Sequence, residues 1–118
     1  MIPTTRPVYD ANATGGSFGD LPEWDLRDLY AAPDAPEYAR DMAWLAGATA
    51  VFAAEYEGKL AALDAAGMLA CVLAYEAIDV IAGRIMSFAG LRYYQNTMDS
   101  DRAKFMARSE ERRVGKEC

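Results

Sequence analysis

The chain reads as all-α, antiparallel and bundle-like, on three observations. Apolar residues recur at three- and four-residue steps through two long stretches. Recognisable start and stop signals bracket those stretches. No run alternates apolar with polar residues as a half-buried strand would. The composition suits a globular chain, 53% apolar and 25% charged with a mean hydropathy of −0.11. Its 118 residues make one domain, against a usual ~100–200 residues per domain.

Residues 1–20 (MIPTTRPVYDANATGGSFGD) have no apolar core of a signal peptide, and their Pro, Thr, Gly and Asn content favours a disordered lead. Leu21-Pro-Glu-Trp-Asp-Leu-Arg-Asp-Leu-Tyr30 follows. Trp24, Leu26, Leu29 and Tyr30 are too dense for a linker and too few for a helix with its own core, so the segment is expected to dock its aromatics on a neighbouring surface. Asp25 is placed to cap one short turn.

The first long helix is expected to start at Asp34-Ala-Pro-Glu37, close to a capping box, with Asp34 as cap and Pro36 in the first turn. Tyr38, Met42, Leu45, Thr49, Phe52 and Tyr56 form its apolar stripe. Gly58 stands where a left-handed residue closes a helix, with Lys59 beside it to complement the dipole. Asp64 caps a second helical region, whose apolar face is expected along Met68, Val72, Tyr75, Ile78, Ile81 and Ile85, widened by Leu69, Leu73 and Phe88. A drift of the stripe makes a break near Ala74 plausible, and the pattern leaves one helix or two open over residues 65–97. Gly83, Ser87 and Gly90 are small residues inside a helix, where each glycine costs about 1 kcal/mol against alanine. A close backbone approach by another helix is the usual reason to keep them. After the loop Asn96–Asp101, Ser100 or Asp101 is expected to cap a third helix ending soon after Phe105.

Several function classes are excluded by counting. Twelve basic against eighteen acidic residues give a net charge of −6, and a negative chain without a basic block repels phosphate backbones, which argues against nucleic acid. There is no histidine, hence no Ser-His-Asp triad, Cys-His pair or HExxH zinc site in this polypeptide. Cys71 and Cys118 make no disulfide framework. The longest uncharged runs, thirteen residues from Met42 and eleven from Ala65, fall short of the roughly 18–20 that span a bilayer; no membrane role and a cytoplasmic location are expected. Glu76 with Asp79, and Glu55 with Glu57, are read as solvated carboxylates rather than an acid–base pair. Cys71 is read as a small core residue, and Tyr93-Tyr94 as packing. Gly15-Gly16 lacks the strand and helix of a phosphate loop.

The last eleven residues, RSEERRVGKEC from 108 to 118, carry no apolar stripe. They resemble, residue for residue, the translation of a short-read sequencing adapter. On that reading residues 108–118 are foreign, the natural chain is expected to continue past Ala107, and the natural part has Cys71 as its only thiol.

Three stretches together resemble a family. Leu21–Tyr30 is similar to the LPxWDLSDLY opening of bacterial oligoendopeptidase F, a zinc metallopeptidase of the thimet-oligopeptidase-like superfamily. Tyr56-Glu-Gly-Lys-Leu60 resembles the family's Y-x-GKL junction. Tyr75–Ala89, followed by Leu91 and Tyr93, resembles its YE-x-L…L-x-GRL-x-SYA-x-L-x-Y helix. Asn96–Asp99 stands where a DTTD-like turn sits. Arg27, Phe88 and Asn96 depart from the usual serine, tyrosine and aspartate. The likeness covers about residues 20–107.

The resemblance implies that residues 21–107 are a truncated N-terminal helical domain, part of the wall of a substrate channel in a hydrolase of short, unstructured peptides. In that family an HExxH motif and a downstream Glu hold the zinc that activates water. No catalytic or metal-binding residue carries over to this chain, which is expected to be inactive alone. Its partners would be the missing C-terminal catalytic domain of the same chain and, for the parent, short peptides. The residues expected to dock and pack are Trp24, Leu26, Leu29, Tyr30, Gly83, Ser87 and Phe88. The rival expectation is a self-associating helical interaction module without catalysis.

Overall fold

The computed structural model describes residues 22–114, with side chains described to Glu111; the expected disordered lead and the end of the adapter-like tail lie outside that range. Among the described residues there are three α-helices and one 3-10 turn, and no strand: α1 (Pro36–Tyr56), the turn Leu60–Ala62, α2 (Ala65–Gln95) and α3 (Ser100–Val114). The chain is all-α, as its periodicity predicts.

α1 begins with Pro36 in its first turn and Glu37 beside it, but Asp34 does not cap it. Ala35 is the cap residue and makes no side-chain bond. A turn closed by Ala35 N–H on Ala32 O (3.1 Å) sets the helix start one residue later, so Asp34 lies outside the capping position. The stripe Tyr38, Met42, Leu45, Thr49, Phe52 and Tyr56 is wholly or partly buried, as expected. At the far end Gly58 adopts φ +72°, a conformation that a Cβ would strain. Lys59 Nζ donates to Ala54 O at 2.8 Å, tying off one of the helix's last carbonyls.

Asp64 caps α2 as expected, its Oδ1 accepting from Gly67 N–H at 2.7 Å. α2 then runs unbroken for 31 residues; there is no break at Ala74. The stripe drifts because α2 is apolar on more than one face, not because the backbone turns. Its buried residues are Cys71, Ile85, Phe88, Ala89 and Gly90. The expected face holds only from Ile78 onward, because Met68, Val72 and Tyr75 are exposed. α2 is also long and apolar enough, by length and composition, to cross a membrane, and almost none of its most apolar stretch is buried. It carries Glu76, Asp79, Arg84 and Arg92, charges that are costly in lipid.

Asp99, rather than Ser100 or Asp101, caps α3, with Oδ1 accepting from Asp101 N–H (2.9 Å) and Arg102 N–H (3.3 Å). α3 continues past Phe105 to Val114. The Arg and Glu residues of that stretch are good helix formers. Ser109, one turn beyond Phe105, is buried, its Oγ donating to Phe105 O at 2.9 Å and hydrogen-bonded to the Tyr38 hydroxyl at 2.7 Å.

The core sits where α2 meets α1 and α3. It consists of Tyr30, Leu45, Ile85, Phe88, Ala89 and Phe105, with Leu26, Leu29, Tyr38 and Met42 among the side chains packed around it. Phe88 is its hub. Its ring lies 5.3 Å from Tyr30, 6.2 Å from Tyr38 and 5.9 Å from Phe105, centroid to centroid.

Candidate functional site

The buried polar constellation around Asp41 joins three separate parts of the sequence. Residues 22–35 form a strap that turns at Arg27–Leu29, where Leu29 N–H bonds Leu26 O at 2.9 Å. Asp25 caps that turn as expected: its Oδ1 accepts from Arg27 N–H (3.1 Å) and Nε–H (2.9 Å), and its Oδ2 from an Arg27 guanidinium N–H at 2.6 Å. These bonds to Arg27 hold the Asp25 carboxyl down to about 2.

The turn delivers Tyr30 into the core. Its hydroxyl donates to Asp41 Oδ2 of α1 at 2.6 Å. Arg84 of α2 reaches the same oxygen at 3.3 Å, donates to Leu29 O, and stacks 4.4 Å above the Tyr30 ring. Arg40 approaches Asp41 Oδ1 at 3.3 Å. Asp41 is thus a buried carboxylate with a partner on each oxygen, as burial of a charge demands.

Burial first, then the hydrogen bond and charge of Asp41, push the Tyr30 phenol above its usual 10. A raised folded-state value means that stability is whole below the unfolded phenol's value and falls as pH rises through about 10 and beyond. The expected alkaline slope from this one group is about 1.4 kcal/mol per pH unit. Urea titrations between pH 9 and 11 should show it in the parent chain and lose it in Tyr30→Phe.

The expected docking residues divide. Tyr30 and Phe88 are buried and in ring contact, and Leu26 and Leu29 pack against the core. Trp24 is exposed and contributes only its carbonyl, which accepts from Gln95 Nε2 at 2.9 Å. Gly83 and Ser87 are exposed. A Cβ added at Gly83 would meet nothing within 4 Å. Of the tyrosine pair, Tyr93 is half-buried and Tyr94 exposed, so packing holds only for Tyr93. The sequence pattern does not mark Asp41 and Arg84 as docking residues. Their signal is legible in retrospect: opposite charges interrupt the two apolar stripes, beside Met42 and Leu45 in one and Ile81 and Ile85 in the other.

Nothing in this constellation is a nucleophile with a free base. Cys71 is buried, and Glu55, Glu57, Glu76 and Asp79 are all exposed. Among the described residues no group of three His, Cys, Asp or Glu stands together for a metal. Two open grooves flank α1. One of about 900 Å³ runs beside α3, lined by Tyr38, Met42, Phe105 and Arg108. One of about 570 Å³ runs beside α2, lined by Trp44, Leu73, Glu76 and Val80, with Arg40 and Asp41. The arrangement clamps a strap and presents apolar surface. No family model, curated protein or solved structure matches the chain.

Proposed function

We propose that this chain is the leading helical, channel-wall segment of a zinc-dependent oligoendopeptidase that hydrolyses short peptides, with a structural and no catalytic part in the reaction. The observation that carries this reading is the meeting of its two most motif-like stretches. Tyr30, which ends the LPEWDLRDLY strap, stacks on Phe88 of the GRIMSFA stretch, and Arg84 of that stretch binds Leu29 O and Asp41. Residues 43 or more positions apart in sequence thus form one clamp, as the parts of a single inherited pattern would. The uncovered apolar residues of α2 give a further layer of the parent something to pack against.

The residues present do not fit a zinc centre: the chain has no histidine, and among the described residues no ligand cluster stands in for one. The metal and the short-peptide site of the parent therefore belong to the proposal through the resemblance alone, and a cytoplasmic setting is proposed with them.

The test is to sequence the locus through codon 107 and express the extended reading frame. The expected product hydrolyses short unstructured peptides, stops when zinc is chelated and recovers when zinc is returned. A reading frame that closes without an HExxH motif, or an extended product that cleaves nothing, defeats the proposal.

A further inference from the structure

The strap and the last turns of α2 border an open cleft of about 270 Å³. Gln95 holds the two together. Its Nε2 donates to Trp24 O at 2.9 Å, and its Oε1 accepts from Arg102 at 3.1 Å. Trp24 and Leu26 line the cleft from the strap, and Phe88 and Arg92 line it from α2.

Arg92 is half-buried here, its Cζ 5.7 Å from the Phe88 ring centre and 5.3 Å from that of Phe105. Among the described residues its side chain makes no ion pair and no hydrogen bond. The arginines around it are already engaged: Arg27 by Asp25, Arg84 by Asp41 and Leu29 O, and Arg102 by Asp99, Gln95 Oε1 and Arg92 O. Burial first, then the charge of Arg102, pull the Arg92 guanidinium below its usual value, with Asp99 acting the other way. A guanidinium stays charged at neutral pH all the same. A partly desolvated cation therefore stands in the wall of the cleft with rings but no anion beside it. A ring contact engages the face of a guanidinium and leaves its N–H edge for a two-pronged acceptor.

We infer that this cleft binds a small monocarboxylate, its carboxylate on the Arg92 guanidinium and its apolar body against Trp24 and Leu26. A planar carboxylate matches the guanidinium fork. Asp25 is neutralised by Arg27, but Glu23 also lines the cleft, so one negative charge is favoured over the two of a phosphate. The volume lies just under the ~300–1,000 Å³ usual for drug-sized ligands, which sets the scale of the occupant. Free small acids and the carboxyl ends of short peptides both carry this chemistry. The inference goes beyond the peptidase reading and does not depend on it. That reading fails or stands on chelator-sensitive cleavage by the extended product, this one on ligand titration of the 118-residue chain.

The test is to titrate the isotope-labelled chain with phenylacetate, with N-acetyl-alanyl-phenylalanine and with the amide of that peptide, following NMR signals. Signals of Arg92 and Trp24 are expected to move with the acids, while those of Trp44, in the groove between α1 and α2, stay in place. The amide should bind about tenfold more weakly than its acid, and Arg92→Gln should weaken both acids about tenfold. Arg92 also lies against two core rings, so the comparison of acid with amide in the unaltered chain keeps the test independent of that variant's fold. Tighter binding of phenylacetate assigns the cleft to free acids, and tighter binding of the peptide to carboxyl ends; either result supports the inference. Signals of Arg92 that stay fixed up to the solubility limit of both acids overturn it. So does an amide that binds as well as its acid, which leaves the guanidinium no part in recognition. So does inorganic phosphate that moves Arg92 at lower concentration than either acid, which marks a general anion patch.

Discussion

Asp41→Ala is expected to destabilise the chain by about 3–5 kcal/mol, the usual cost of breaking a buried ion pair from one side. The carboxylate is 6% exposed, and its removal strands two donors together. The Tyr30 hydroxyl loses its only described acceptor, and Arg84 keeps Leu29 O but loses its counter-charge. Arg84 is partly exposed and can turn to water, but the buried Tyr30 hydroxyl cannot while the strap stays seated, so the strap is expected to lift. Amide exchange reads this directly: the Leu29 and Tyr30 N–H groups, now bonded to Leu26 O, should exchange far faster in the variant, while α2 amides near Ile78 change little. Asp41→Asn keeps an acceptor for Tyr30 and loses only charge, so it should cost markedly less. Paired with Tyr30→Phe in a double-mutant cycle, Asp41→Asn should show a coupling of about 1–3 kcal/mol. Additive single effects would mean that the hydroxyl and the carboxylate act independently, contrary to their 2.6 Å contact.

What the sequence discloses and what it withholds follow from the range over which each residue acts. Gly58 and Asp64 are legible because each answers to its own backbone neighbours: a positive φ in one case, an N–H three residues on in the other. The α1 stripe is legible because a helix with one buried face imposes a period. Asp34 misleads by one residue, since a turn donor at Ala35 rather than local propensity decides where the helix starts. Trp24 misleads for a different reason. Size marks it as the anchor of its segment, but the turn at Arg27–Leu29 points Tyr30, not Trp24, at Phe88. Asp41 in isolation looks like one more solvated acid on an acidic chain. Its burial depends on Tyr30, eleven residues away, and Arg84, forty-three away. On α2 the period is blurred because the helix is apolar on opposite sides. The half that meets α1 and α3 around Phe88 is buried, and the seam through Leu69 and Val80 is left open.

Phe88→Ala should produce a loss of similar size by another route. The side chain is 3% exposed and touches rings from the strap, α1 and α3. Its truncation therefore removes one wall from three packing contacts and leaves a void where they met. Large-to-small aromatic changes in cores cost about 3–5 kcal/mol, from lost transfer energy plus the cavity. At roughly 4–8 °C per kcal/mol for a chain of this size, the melting midpoint should fall by at least about 12 °C. A small helical unit has little stability to lose, so the cooperative transition is expected to vanish altogether in circular dichroism at 222 nm. Phe88→Leu, which keeps most of the volume, should cost under about 1.5 kcal/mol. Tyr94→Ala, six residues on and 62% exposed, should stay within about 0.5 kcal/mol of the parent. The ordering of the three variants carries the argument: it follows from Phe88 being buried against rings of the strap, α1 and α3, while Tyr94 is exposed. If Phe88→Ala melted like Tyr94→Ala, the strap, α1 and α3 would have to be held to α2 by something other than this aromatic cluster.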